Sequence, residues 1–246
     1  MLDENDVSEE RKWLYQAHAT VAVANLQRRN VTAQYVSSRQ EALSTVLEMI
    51  PAGVTVVCGD SLSLDQVGVI PELRKRNQNN ILNPMERDAD GSFLVTGQQR
   101  QRMQREAFSS DVFLTGTNAV TLDGKLVNTD FLGNRVAPMI FGPDKVIVVV
   151  GANKIVKDVD EAIERIHQVA APMNAKRHYL KHHNEAFGNL PCAKTGFCVD
   201  CNHDSRICRF TVIIEGSMGA RKERINVVLV GEELGLQNED PPQKGG

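Results

Sequence analysis

Val54-Thr55-Val56-Val57-Cys58-Gly59-Asp60-Ser61 joins an unbroken apolar run to a short polar turn. Four of its first five residues are β-branched, which predicts a strand that is buried on both faces. Glycine, aspartate and serine end the strand, and a helix is expected from there to about Arg76. Strand, turn and helix in this order form the repeating unit of an α/β fold with a parallel sheet.

The same unit recurs along the chain. A capping box, Ser38 with Glu41, starts one helix, and a second box, Asp158 with Glu161, starts another that is expected to run to about Ala170. Asp123-Gly124 predicts the turn of a hairpin over 119–128. Further strands are expected at 31–36, 111–115, 145–150, 209–215 and 225–230. The pattern predicts an open, mostly parallel sheet that is covered by helices on both faces.

Composition limits the class of protein. The chain has 246 residues, a net charge of −3 and 5% aromatic residues, so neither a basic stripe nor a base-stacking platform suggests nucleic acid. The run Val146–Val150 is too short to span a membrane, and the acidic start Met1–Asp6 is not a signal peptide. A cytoplasmic protein is expected. Its predicted parts are an N-terminal helical segment (1–30), an α/β domain (31–236) and a disordered tail (237–246).

Four cysteines lie close together near the C-terminus, in a segment that spans residues 190–209. Cys192, Cys198, Cys201 and Cys208 follow the spacing C-x5-C-x2-C-x6-C. Cytosolic disulfides are rare, so this set predicts a metal site or an iron–sulfur cluster. The spacing matches neither the common zinc pattern nor the ferredoxin pattern, and both interpretations stay open. The fifth cysteine, Cys58, is expected to be a small core residue.

Three predicted strands end in small polar turns. These turns are Gly59-Asp60-Ser61, Gly116-Thr117-Asn118 and Gly151-Ala152-Asn153-Lys154. Ligands of open α/β sheets bind beyond the carboxyl ends of the strands, and free N–H groups there suit a carboxylate or a phosphate. The sequence therefore predicts a pocket for a small anionic metabolite. None of the three turns matches a dinucleotide or Walker pattern, and the simpler interpretation is that they are only turns.

Between residues 128 and 135 lies a second dense set of polar residues. Asn128 and Asn134 are candidate ligand-binding residues, Asp130 a candidate general base, and Arg135 a candidate partner for a carboxylate or phosphate. Alternatively, Asp130 caps a helix that begins near Phe131 and pairs with Arg135. His178 and His182, four residues apart on a predicted helix, could share a metal, but without the glutamate of an H-E-x-x-H motif the expectation is a surface face.

Several of these segments together resemble one family. The run Gly116–Asn128, with Gly133-Asn134-Arg135-Val136, Gly142–Val146 and Gly151–Val156, is similar to the LUD domain, the lactate-utilization family of LutC/YkgG type. The four-cysteine segment resembles that of a subgroup of this family. The resemblance covers about residues 10–235.

The resemblance implies a three-layer α/β/α fold like that of the NagB/RpiA/CoA-transferase group. It also implies a place in the oxidation of L-lactate to pyruvate alongside iron–sulfur partner proteins, with an iron–sulfur cluster or, alternatively, zinc on the cysteines. It supplies no agreed catalytic residue. The alternative function is a non-redox protein or enzyme that binds an anionic metabolite and carries a structural zinc. Apolar residues on more than one face of the first helix, including Trp13 and Val21, suggest a homodimer or packing onto the domain.

Overall fold

The computed structural model describes residues 4–237, so the predicted tail lies outside the described residues except for Gln237. The helices are α1 Ser8–Arg28, α2 Arg39–Glu48, α3 Leu62–Val67, α4 Val69–Arg76, α5 Gly97–Glu106, α6 Val136–Ile140, α7 Val159–Arg165, α8 Ala171–His182, α9 Glu185–Gly188 and α10 Pro191–Thr195. The strands are β1 Thr32–Val36, β2 Thr55–Cys58, β3 Asn80–Leu82, β4 Val112–Thr115, β5 Ala119–Thr121, β6 Leu126–Asp130, β7 Lys145–Gly151, β8 Ile155–Val156, β9 Phe210–Ile214 and β10 Ile225–Val230.

Six strands form the central sheet in the order β1-β10-β7-β4-β2-β3, and every pair in it is parallel. β7 lies in the middle, and its Val146–Gly151 stretch is fully buried, as the apolar run predicts. The strands β7, β4 and β2 are neighbours, so the turns that follow them meet at one edge of the sheet.

Alternate residues of the central strands face opposite layers. On one face, Ile147 and Val149 pack with apolar side chains of α2, α3 and α4. On the other, Val146, Val148 and Val150 pack with α1, α6 and the β5–β6 hairpin. The protein is therefore a three-layer α/β/α sandwich with a mainly parallel sheet, as expected from the sequence.

A smaller four-stranded sheet, β8-β5-β6-β9, adjoins the main one. The predicted hairpin forms its centre, with β5 antiparallel to β6. The segment predicted as a strand over 209–215 forms β9 and pairs antiparallel with β6 from Leu126↔Ile214 to Asp130↔Phe210. Because strand pairing is long-range, the sequence pattern alone did not assign β9 to a sheet.

Two predicted helices differ in extent from the observed ones. The helix expected from Ser61 to Arg76 is divided at Gly68, whose left-handed backbone (φ +80°) ends α3 and precedes α4. The helix that Asp158 caps continues through a π-helical turn, Ile166–Ala170, into α8 and ends at His182 rather than near residue 170. This continuation carries α8 to the strand-end edge of the sheet.

The surface of α1 carries apolar side chains. Ala22 and Leu26 pack in the core, whereas Trp13 is 69% exposed and Val21 is 48% exposed. A homodimer through this face stays a prediction. Within residues 4–237, none of the helices combines the length and the apolar character that a bilayer crossing requires.

A substitution at Gly124, in the hairpin turn, tests how closely the hairpin packs on α1. Gly124 has φ +86°, and a Cβ there would lie 2.5 Å from the carbonyl carbon of Asn25. We expect Gly124→Ala to lower the free energy of unfolding by about 3 kcal/mol or more, because backbone strain and a backbone clash add together. Chemical denaturation with a circular-dichroism readout measures this change.

Gly53→Ala is the matched control. Gly53 has a similar φ of +84°, but its Cβ would meet nothing within 4 Å. The expected loss is about 1 kcal/mol from strain alone. Equal losses at Gly53 and Gly124 would contradict the close packing of the hairpin turn on α1.

Candidate functional site

The three predicted turns meet at the carboxyl ends of β2, β4 and β7, beside a cavity of about 360 Å³. We call it the strand-end cavity. The predicted residues that line it are Asp60, Ser61, Gly116, Thr117, Asn118, Asp130, Asn134, Arg135 and Lys154. Its volume falls within the range of small-molecule sites in proteins. The structure thus brings most of the predicted residues together, and their functional roles stay predictions.

Four predicted residues do not line this cavity. Gly59 faces a second cavity of about 510 Å³, which shares Asp60 and Arg177 with the first. Asn128 is buried behind Arg135. Gly151 ends β7, and the Asn153 side chain bonds to the segment after β10 through Leu234. Asn128, Gly151 and Asn153 therefore support the cavity wall without lining it, whereas Gly59 belongs to the second cavity.

Sequence reasoning missed several cationic residues of the cavity wall. They are Arg87, Arg100, Arg165 and Arg177. Arg165 and Arg177 belong to α7 and α8, far along the chain from the three turns. No local pattern marks a helical arginine as part of a site, because the fold alone decides which way it points. Together with Arg135 and Lys154, they give the wall a large excess of positive charge over its carboxylates, Asp60 and Asp130.

Arg135 is held by neutral acceptors. Its guanidinium donates to Asn128 Oδ1 at 2.6 Å and to Asn118 Oδ1 at 2.9 Å. It also donates to the backbone oxygens of Thr129 and Gly116. Burial lowers the pKa of Arg135, and Asp130 and Asp60 only partly offset this effect. Its side chain forms no ion pair within 4 Å with a described carboxylate, so the predicted pairing with Asp130 is wrong.

Asp130 instead caps a helix. Its Oδ2 accepts from the backbone N–H groups of Arg135 at 2.8 Å and Val136 at 3.2 Å, at the start of α6. Its Oδ1 accepts from Phe131 N at 2.8 Å. The capped helix begins at Val136 rather than near Phe131, because Gly133 adopts a left-handed backbone (φ +80°) in the intervening turn. These three bonds fix the carboxylate in the cavity wall.

Lys154 is the most deeply buried cation of the cavity, with 7% of its surface exposed. Its amine donates to Ser63 Oγ at 3.0 Å and to Thr117 O at 3.3 Å. Burial, followed by the charges of Arg165 and Arg135, lowers its pKa from 10.5 to about 7. Since no described carboxylate forms an ion pair with it, about half of these amines are neutral near pH 7.

Arg165 and Arg177 differ in their partners. Arg165 donates to Asn118 O and to Leu236 O, both at 2.8 Å, and burial lowers its pKa to about 10. Arg177 forms an ion pair with Asp60 at 3.4 Å. Burial alone would raise the pKa of Asp60, but Arg177 and then His178 outweigh it and hold that pKa below its ordinary value. Asp60 is therefore an ionised carboxylate in the cavity wall.

His178 lies at the site rather than on the predicted surface face, and it contacts His182, which lies outside the cavity wall. Sequence reasoning missed His178 as a residue of the wall. His178 has 14% of its side chain exposed and places Nε2 3.9 Å from Asp60 Oδ2. Its Nδ1 lies 2.9 Å from His182 Nδ1. Burial lowers the pKa of both rings, that of His182 to about 4. Both imidazoles are therefore neutral at pH 7. They are withdrawn from solvent because this face of α8 lies toward Asp60, just after β2.

A polar segment before α5 covers one side of the cavity. Arg87 and Arg100 stack on the ring of Phe93, with guanidinium carbons 3.6 Å and 3.9 Å from the ring centre. Gly91, at the bend of this segment, lies against the end of α8, where a Cβ would be 2.5 Å from Lys181 O. Arg87 from this segment and Arg100 from α5 thus add two more cations to the cavity wall.

The four cysteines of the C-terminal segment carry free thiols. Burial raises the pKa of Cys192, and the charges of the other three cysteines raise it further. Asp200 N donates to Cys198 Sγ and Arg206 Nε to Cys208 Sγ, each at 3.3 Å. Across residues 4–237, no three His, Cys, Asp or Glu side chains stand at metal-ligand spacing. By chemical type alone, cysteine thiolates are ligands of soft metals and iron–sulfur clusters, and a cluster or zinc on these four stays a prediction.

One apolar cluster connects the cysteine segment to the cavity. Leu190, Ala193 and Ile207 pack with Ala171 and Ala175 of α8, and Cys192, Cys201 and Cys208 contact this group. Members of the cluster that also line the strand-end cavity are Phe131, Ala171, Phe187 and Ile207. A single apolar layer therefore lies between the thiols and the cavity.

Comparison with known proteins identifies the domain. The family model described as the LUD domain matches residues 19–230. Among solved structures, the chain is similar to the crystal structure of a DUF162 family protein from Deinococcus radiodurans, with 14% identity and a TM-score of 0.44 over 89% of this chain and 97% of that chain. No curated protein matches the chain. The family match confirms the resemblance predicted from the sequence.

The perturbed amine of Lys154 predicts a pH dependence of stability. In the unfolded chain its pKa returns to 10.5, so between about pH 7 and pH 10 the unfolded state binds more protons than the folded state. We expect the free energy of unfolding of the native protein to rise through this window relative to Lys154→Met, by up to about 1.4 kcal/mol per pH unit. Denaturant titrations at several pH values measure the difference.

Lys157→Met is the control for this comparison. The Lys157 side chain is 81% exposed, so its removal should leave the pH profile of stability parallel to that of the native protein. Parallel profiles for the native protein and Lys154→Met would contradict a lowered pKa of Lys154.

Proposed function

Because the chain belongs to the LUD domain family, which is related to lactate-utilization proteins, we propose that its strand-end cavity binds a small carboxylate of the lactate and pyruvate type. The observation that carries this proposal is the set of cations around Asn118. Lys154, Arg135 and Arg165 are buried or partly buried, and none forms an ion pair with a described carboxylate. A bound carboxylate would supply the missing counter-charge.

The polar groups of the wall suit such a ligand. A carboxylate accepts two parallel N–H bonds from a guanidinium, and Arg165 keeps N–H groups beyond the two that bond to Asn118 and Leu236. Asp60, which Arg177 holds ionised, is placed to accept a hydrogen bond from a hydroxyl at C2 of the ligand. The apolar side of the wall, Phe131 and Phe187, suits a methyl group.

We further propose that the protein is a component of L-lactate oxidation to pyruvate, with an iron–sulfur cluster on Cys192, Cys198, Cys201 and Cys208. Such a cluster supplies electron transfer when bound. Oxidation of lactate releases two electrons, and the sequence has no fingerprint of a nicotinamide site, so a cluster or a partner protein must accept them. The four free thiols in one short segment, three of which pack on the apolar cluster that reaches the cavity wall, support this assignment.

A second candidate is a non-redox protein in which zinc only orders the cysteine segment. The segment 190–209 contributes few apolar side chains to the core, chiefly Leu190, Ala193 and Ile207. A structural zinc can supply about 10 kcal/mol of folding free energy, which would suffice to order such a segment. The carboxylate pocket would then act without electron transfer.

Ligand binding tests the proposed pocket. We expect L-lactate or pyruvate to bind in isothermal titration calorimetry, and Arg165→Met to weaken the affinity by on the order of ten- to a hundred-fold, because one charged hydrogen-bonding group is lost. Arg102→Met is the matched control, since this α5 side chain is 82% exposed and lies outside the cavity wall. Equal affinities in the two variants would contradict the pocket assignment.

Metal analysis tests the cysteine site. We expect protein purified without oxygen to contain iron and acid-labile sulfide with broad visible absorbance, and Cys198→Ser to lose both. Cys58→Ala is the control, because Cys58 is buried at the end of β2 and belongs to the core. Stoichiometric zinc without sulfide would contradict the cluster and favour the second candidate.

A further inference from the structure

The amine of Lys154 has properties beyond those that anion binding needs. It is buried, it lines the strand-end cavity, and both of its described hydrogen-bond partners are neutral oxygens. A lysine that only binds an anion works best as a charged ammonium. Here the charge is opposed by burial and by Arg165 and Arg135, and no described carboxylate supports it.

The hydrogen bonds of Lys154 leave its nitrogen able to react. A neutral amine has two N–H groups and one lone pair. Ser63 Oγ and Thr117 O each accept one N–H, so the lone pair is not engaged by either partner. A neutral lysine amine of this kind, held in a pocket, is the group that forms imines with carbonyl substrates.

The neighbours of Lys154 would place a carbonyl compound correctly. Lys154 donates to Thr117 O and Arg165 donates to Asn118 O, so two adjacent carbonyls of one turn hold both cations in the cavity wall. Arg165 also keeps free N–H groups for a carboxylate. In a 2-oxo acid, the carbonyl carbon is bonded directly to the carboxylate carbon. Binding of the carboxylate by Arg165 therefore brings C2 toward the amine.

We propose that Lys154 forms a reversible imine with the C2 carbonyl of a 2-oxo acid of the pyruvate type. This inference rests on the proposed function, since it takes the carboxylate pocket as given and names the substrate class. The nitrogen lone pair adds to C2 and a proton moves from nitrogen to the carbonyl oxygen, which gives a carbinolamine. Loss of water then forms the C=N bond, and hydrolysis reverses the step. No oxidant or reductant is consumed.

The chemistry distinguishes the two ligands of the proposed pocket. L-Lactate carries a hydroxyl at C2 and cannot form an imine, whereas pyruvate can. The protein would hold lactate by hydrogen bonds and ion pairs alone but pyruvate also by a covalent bond. The oxidised and reduced partners of one redox pair would thus be bound in different ways.

Reductive trapping tests the proposal. The full-length protein is incubated with pyruvate and sodium cyanoborohydride at pH 7, and its peptides are mapped by mass spectrometry. We expect one carboxyethyl group on the Lys154 nitrogen, in on the order of a hundred-fold excess over any other lysine, because an ordinary lysine is neutral in fewer than about one molecule in a thousand at this pH. L-Lactate with the same reductant should leave no adduct.

Two variants and a binding measurement separate the outcomes. Lys154→Met should abolish trapping and Lys157→Met, with an exposed amine, should not. If pyruvate raises the melting temperature of the native protein but peptide mapping finds no adduct at Lys154, the imine is overturned and the carboxylate pocket stands. If neither pyruvate nor lactate raises it, the pocket and the imine both fail. Peptide mapping of the native protein shows by itself whether the adduct forms at Lys154, so the test holds even if Lys154→Met does not fold.

Discussion

Positive charge that is buried without a counter-charge is the constraint on which the strand-end cavity depends. Moving a cation away from water costs several kcal/mol unless hydrogen bonds and opposite charges replace the lost hydration. The protein satisfies much of the hydrogen bonding of Arg135 through Asn118, Asn128 and backbone oxygens, but no carboxylate within residues 4–237 forms an ion pair with it. The rest of the fold must offset that cost, and the buried central strands, β7 above all, are where the largest apolar burial lies.

The backbone beside Lys154 leaves space for its amine at Gly235. A Cβ on Gly235 would lie 2.6 Å from Lys154 Nζ, so a side chain at this position would displace the amine. The same segment after β10 accepts from Arg165 through Leu236 O and donates to Asn153 through Leu234 N. The segment therefore closes around two cations at once, and a glycine at 235 is what gives the lysine room.

The sequence predicted those parts of the site that follow directly from strand endings. Buried runs such as Val54–Cys58 and Val146–Val150 identify central strands, and the polar turns after them must lie at one edge when the strands are parallel neighbours. Arg165 and His178 could not be predicted in the same way. Arg165 ends α7, and His178 follows the π-helical turn that continues this helix into α8. Long-range packing decides that both reach the cavity, and it leaves no local pattern in the sequence.

The cysteine segment and the cavity cannot be independent. The segment is anchored on α8 by a few apolar side chains, and Phe131, Phe187 and Ile207 belong both to that anchor and to the cavity wall. Phe131 follows Asp130, whose carboxylate bonds to the N–H groups of Phe131, Arg135 and Val136 and so ties this wall to α6. A change in the packing of the cysteine segment therefore affects side chains that also line the cavity, where a ligand would touch them. Linkage is reciprocal, so whatever free energy the order of this segment adds to ligand binding, a bound ligand adds to the order of the segment.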